Sequence, residues 1–416
     1  MGNPWDLEHQ IPIRRVDLVG FLIKHPAVPG EETGLLFQVF QGLTALINFD
    51  FLQAAEGLKS HYLLFDPDSD IQPITPATGN HAIPLDDLEN GVKSLLGKAN
   101  FEKLNWDMVD TWLAQSREFL GMKVMVNSEE FDRLLMYYRG ECKLERKVRR
   151  WWRPWRKDLI SVPGLSRLAL FIKMREKARE GEEVNTQKVF LKLFKDIPKT
   201  SVPMMFPGAK VKLNPFDKGL IGYPILAGMV MIFYNLVLGI LKAGLVAIVG
   251  MTIWPLALAF GGYGYRTYYN YVARKQDYDL RMTKNLYYQT LDSNAGVLTR
   301  LVDEAEEQET LEALLAYFCL LKFSPEEGWC ASQLDDYAEL FVQEITGRKI
   351  DFEIQDALDK LIALGMVREN GGKLRAIPPL EAKVALAKLW NLRYQNLEAA
   401  AFEKPHDLPT ALKNNR

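Results

Sequence analysis

The sequence predicts an α+β membrane protein, and three observations carry that prediction. Residues 219–265 form a run of 47 with a single charged side chain, Lys242. Residues 168–174 and 189–194 alternate with the period of two expected of strands. On either side of these segments, apolar residues recur at helical spacing.

The N-terminal region, 1–120, reads as helical. Leu35 to Phe51, Leu85 to Leu96 and Met108 to Leu120 each place apolar residues on one helix face. The loop Asp66-Pro67-Asp68-Ser69-Asp70 spaces its acids like the start of a calcium loop. Ile71 stands where the turn glycine belongs and Ala77 where the bidentate Glu belongs, so a solvated loop is expected.

A small antiparallel β domain is expected over 121–215. Leu168, Leu170, Ile172 and Met174 alternate with Arg167, Ala169, Phe171 and Lys173. Val189, Leu191 and Leu193 alternate with Phe190, Lys192 and Phe194, and the charged stretch between reads as a hairpin connection. Ahead of these strands, Arg149, Arg150, Trp151, Trp152, Arg153, Trp155 and Arg156 interleave bases with tryptophans. Trp suits the membrane interface and Arg suits anionic headgroups, so a membrane-surface anchor is the expectation. A solvated loop and a nucleic-acid contact are the alternatives.

Residues 219–265 are too long for one crossing. As a single helix they would span about 70 Å against a hydrocarbon core of roughly 30 Å. Broken at Lys242 they make two apolar spans of 23 residues, a transmembrane helical hairpin. Lys199, Lys210, Lys212 and Lys218 precede it, and Arg266, Arg274, Lys275, Arg281 and Lys284 follow. The positive-inside rule therefore puts both flanks on the cytoplasm-equivalent side. That is the cell inner membrane in a bacterium and an organelle membrane in a eukaryote. Tyr223, Tyr263, Tyr265, Tyr268 and Tyr269 gather near that side, as an aromatic belt does.

The C-terminal region, 276–395, reads as an acidic winged-helix-like domain, with a polar tail over 396–416. Helices are expected over Asp303 to Phe323, Ser332 to Gly347 and Phe352 to Leu364. Asn370-Gly371-Gly372 then closes a hairpin, and a last helix covers Leu380 to Tyr394. Val302 to Lys360 holds 16 acidic and 4 basic residues, so this unit would repel phosphate and suits a protein partner. Asp303, Glu304, Glu306, Glu307 and Glu309 are expected to favour the positive end of a helix dipole. A divalent ion held by Asp303, Glu306 and Glu307 is the alternative.

Net charge is −2 and the three cysteines show no metal spacing, which suggests reduced thiols. The first residues carry no apolar signal core, so attachment is expected from the hairpin alone. The five histidines are scattered, and no HExxH, GxSxG, Walker loop or GxGxxG occurs. No catalytic residue, cofactor or metal ligand is therefore assigned.

Several motifs in order resemble a known family. Tyr138-Arg139-Gly140-Glu141, Leu191 to Pro198, Met205 to Gly208, Asn285 to Val297 and Asp303 to Glu307 resemble the transmembrane-protein-143-like family, also known as domain of unknown function 3754. The resemblance spans roughly Ile11 to Tyr394. It implies two membrane spans and no established activity, with members in bacteria and in organelles. Some members carry peptidase labels, and no peptidase site is found here. The motif residues are Lys192, Phe194, Lys195, Pro198, Asp292, Asn294, Gly296, Asp303, Glu304 and Glu307. Asp292, Asn294 and Gly296 are expected to form a turn between two helices, with Gly at positive φ.

The expected role is a membrane-anchored adaptor or scaffold. Its partners would be the bilayer, anionic headgroups, and a protein at the acidic C-terminal domain, not nucleic acid. The alternatives are a membrane-bound enzyme joining Lys192 or Lys195 to Asp292 or Asp303, or a small oligomeric pore.

Overall fold

The structure is a computed structural model. It describes residues 10–70, 85–112, 122–126, 128–149, 157–175, 187–207, 210–213, 286–351 and 354–402, with isolated positions between 230 and 284. They form two compact units. One comprises Met1–Glu102, Arg139–Glu141 and Asn294–Arg416, and the other Lys103–Tyr138 and Cys142–Ser293. The N-terminal and C-terminal helices, read above as separate regions, thus share one unit.

The helical unit is built around a long helix, α4 (Ala295–Lys322), against which α1 (Arg15–Ile23), α2 (Gly30–Tyr62) and α3 (Leu85–Lys98) pack. Helix α2 starts after Pro29, with Glu31 and Glu32 in its first turn and Lys59 and His61 in its last, matching the helix dipole at both ends. Among the described residues it alone is long and apolar enough to cross a membrane. Its apolar stripe, Leu36, Val39, Phe40, Leu43, Leu46 and Ile47, is instead buried, packing on α4 and on the last helix, α7 (Pro379–Phe402).

After α4 come α5 (Ala331–Thr346), α6 (Ile354–Ala363) and the strands β8 (Val367–Asn370) and β9 (Lys373–Ala376). Cys330 and Gln333 form a capping box at the start of α5, and Gly347 ends it at φ +70°. Gly371 and Gly372, at φ +60° and +77°, supply the two positive values that a two-residue hairpin needs. Trp329 bridges to Leu374, adding a third short strand position. His25 is a packing residue: Phe21, Phe318, Phe323 and Phe341 surround its ring, and its Nδ1 accepts from the Ala27 N–H.

The other unit holds an antiparallel sheet. Five strands lie in the order β1 (Glu102–Lys103), β3 (Phe131–Arg149), β4 (Lys157–Met174), β5 (Val189–Pro198), β7 (Thr290–Ser293). A separate pair joins β2 (Met122–Met125) to β6 (Lys210–Leu213). The expected strands are β4 and β5, antiparallel with Leu168 opposite Phe194 and Leu170 opposite Lys192. The alternation does not mark a solvated face, however. Leu168, Ala169, Leu170, Phe171 and Ile172 are all buried. A strand covered on both faces has no polar side to show.

The 19-residue β3 and the short β7 have no counterpart in the sequence reading. Strand β7 also corrects the expected interhelical turn. Asp292 sits in this strand, Asn294 alone turns the chain at φ +52°, and Gly296 lies inside α4. Asn accepts a positive φ more readily than most non-glycine residues. The transmembrane hairpin lies outside the described residues, apart from Val230, Tyr234, Gly262 and Tyr265. So do Trp151, Trp152, Trp155, Arg150, Arg153 and Arg156, while the backbone of Arg149 ends β3.

Candidate functional site

Helix α4 begins at Ala295, so Asp303 to Glu309 lie more than two turns in from its start. A dipole acts over the first turn only, and the dipole account of these acids is therefore overturned. Glu304, Glu306 and Glu309 are instead held by partners from other segments of the helical unit. Arg139, 4% exposed, donates to Glu304 at 2.6 Å and to the Ala99 carbonyl at 2.9 Å, with its guanidinium over the Phe101 ring. Arg300 reaches Glu304 at 3.3 Å. Arg15 pairs with Glu306, which removes Glu306 from the supposed ion site. Gln308 exchanges hydrogen bonds with the backbone of Ile11, and Asn100 donates to Glu312 at 3.2 Å. Residues 304, 308 and 312 fall four apart and so share one stripe of the helix.

The densest point of this row is Glu309, buried and shared by two cations. Lys98 at the end of α3 approaches it to 3.2 Å, and Lys360 of α6 pairs with its other oxygen. Both ammonium groups also lie against the Phe51 ring, at 5.1 and 5.3 Å from its centroid. Beside them is a cavity of about 330 Å³. Its apolar wall is Phe51, Ala54, Ala55, Leu58, Leu95 and Val302, and its polar groups are Asp50, Ser94, Lys98 and Lys360. Gly91 lets α3 approach α2 here, for a Cβ would stand 2.7 Å from Leu58 Cδ1. Arg393 of α7 pairs with Asp50 at 2.8 Å. Burial, with Lys98 and Arg393 nearby, pulls the Lys360 ammonium down to about 8, against the opposing effect of Asp50.

The family-motif residues do different work. Lys192 donates to the Ser293 hydroxyl at 2.9 Å. The register sets Ser293 opposite Lys192 and Asp292 opposite Leu193. Opposed residues share a face and successive residues alternate, so Lys192 and Asp292 project from opposite faces of the sheet. Lys195 stands opposite Arg167, Phe194 is buried in the core of its unit, and Pro198 ends β5. Asn294 donates to Asp68, whose own N–H donates to Asp66. Asp66 is 7% exposed, so the start of the loop expected to be solvated is docked, while Ile71 and Ala77 lie outside the described residues. Asp303 and Glu307 are exposed on α4.

Among the described residues no group of three or more His, Cys, Asp or Glu is placed to hold a metal ion. Cys319 and Cys330 form no disulfide, and burial pushes the Cys319 thiol up to about 12. The sequence reading missed Lys98, Lys360 and Asn100. Each is one residue at a helix end or on a mostly acidic helix, with nothing local to set it apart.

The fold and these contacts define a mixed α+β protein in which an acid-bearing helix gathers distant basic side chains. Residues 131–296 match the model of a family described as a protein of unknown function, DUF3754. The match takes in β3 to β7 and Arg139, and leaves out Glu304 and the residues lining the cavity. No solved structure matches the chain.

Proposed function

We propose that the protein is a two-pass membrane protein of the transmembrane-protein-143-like kind, acting as an anchored adaptor. The run 219–265, with Lys242 as its only charge, carries this reading. Supporting it, Val230, Tyr234 and Tyr265 are helical with large side chains about two-thirds exposed, as lipid-facing residues are. Tyr265 and Tyr269 stack with ring centroids 6.4 Å apart, in keeping with an aromatic belt.

The adaptor surface is the C-terminal part of the helical unit. The order α4, Trp329, α5, α6, β8, β9 is that of a winged helix. The third helix of such a fold normally enters a major groove, yet the outer face of α6 presents Gln355, Asp356 and Asp359. Phosphate would be repelled, and a basic protein segment would be attracted. The Arg/Trp segment would add a contact to anionic headgroups.

Cysteine labelling in sealed vesicles tests the topology. In a background lacking Cys319 and Cys330, Cys142 and Ala401→Cys should react from the same side, and Lys242→Cys from the other. Labelling of Cys142 and Ala401→Cys from opposite sides would end the hairpin reading.

A further inference from the structure

We propose that the cavity between α2, α3, α4 and α6 is a binding site for a small amphiphilic carboxylate, with its head at Lys98 and Lys360 and its hydrocarbon against Phe51, Ala54, Leu58 and Leu95. This goes beyond the adaptor reading and does not depend on the membrane topology.

Charge is the first argument. Around the cavity, the cations Lys98, Lys360 and Arg393 outnumber the anions Glu309 and Asp50. One carboxylate, Glu309, serves two ammonium groups. A surplus positive charge held against an apolar wall is stabilised by an incoming anion more than the same charge in water. Burial first, and Lys98 after it, lower the titration of Lys360.

Shape is the second argument. A volume of about 330 Å³ lies at the small end of ligand pockets, which run about 300–1,000 Å³. It suits a short hydrocarbon body and excludes a whole phospholipid. Phe51, Ala54, Ala55, Leu58, Leu95 and Val302 make an apolar wall, the cations converge from α3 and α6, and the lining carboxylate Asp50 is paired with Arg393.

Octanoate is the probe, titrated into the full chain in nanodiscs, with octanol and acetate as controls for head and body. Octanoate should bind saturably, about tenfold or more tighter than either control, as expected of a charge-assisted contact. Ala54→Leu adds bulk to the cavity wall without changing charge, and Lys98→Met leaves Lys360 to serve Glu309. Each should weaken octanoate by about tenfold. A second readout needs no variant: saturating octanoate should slow reductive methylation of Lys360 while leaving exposed lysines unchanged. Equal binding of octanol and octanoate, or unchanged binding in both variants, would mean membrane partitioning and overturn the site. Unprotected Lys360 at saturation would mean that the Lys98–Glu309–Lys360 cluster only ties α3 and α6 to α4.

Discussion

Arg139 and Glu304 stand 165 positions apart in sequence and 2.6 Å apart in space. Arg139 belongs to the motif Tyr138-Arg139-Gly140-Glu141, and Glu304 to Asp303-Glu304-Ala305-Glu306-Glu307. Gly140, at φ +68°, follows the arginine within β3. The pairing gives both motifs a physical reason without chemistry on a substrate.

Arg139→Met should therefore destabilise the helical unit by about 3 kcal/mol, the low end for removing one partner of a buried pair. Arg300 remains beside Glu304 and limits the loss. The double variant Arg139→Met/Glu304→Gln should recover part of it. The reaction rate of the buried Cys319 thiol, with Cys142 and Cys330 replaced, reports opening of this unit. Equal rates in wild type and Arg139→Met would refute the prediction.

The pH dependence of stability follows from Lys360. Its ammonium titrates near 8 in the folded protein, against 10.5 as a free side chain. Between these values the unfolded chain holds more protons, so this group makes the fold more stable as pH rises from about 8 toward 10.5. Below 8 both states carry the proton and the contribution is flat. The difference in stability between wild type and Lys360→Met, followed across this range, should show that rise. A flat difference would place Lys360 in water.

Two glycines of the C-terminal segment should respond differently to alanine. A Cβ at Gly328, φ +81°, would stand 2.6 Å from the Leu374 backbone oxygen, within the Trp329–Leu374 bridge. At Gly347, φ +70°, nothing lies within 4 Å. Gly347→Ala should cost about 1 kcal/mol for its backbone alone, and Gly328→Ala clearly more, because a backbone carbonyl cannot move aside. Thermal unfolding of both variants tests the order, and equal shifts would count against it.

The Arg/Trp segment lends itself to a peptide experiment. A synthetic peptide of residues 146–157 should bind anionic vesicles and release them as salt rises. Replacing Arg149, Arg150, Arg153 and Arg156 with Gln should remove most of an attraction worth about 1 kcal/mol per basic residue. Equal affinity for neutral vesicles would return the segment to an ordinary solvated loop.

The sequence by itself determined the local elements whose signals lie within a few residues. Asn370-Gly371-Gly372 marked the turn between β8 and β9, and apolar spacing marked α3, α5 and α6 to within a few residues. The alternation around Leu170 and Leu191 marked β4 and β5. Each depends on backbone geometry that neighbouring side chains set alone. Only the tertiary structure decided what the acids of α4 do, because their partners Arg15, Lys98, Arg139 and Lys360 come from four distant segments. The same holds for the second buried face of β4 and β5, for Asp66 and Asp68 docked by Asn294, and for the cavity at Phe51. Burial and charge pairing depend on which segments meet, and that is a property of the whole chain's packing, which no periodicity encodes.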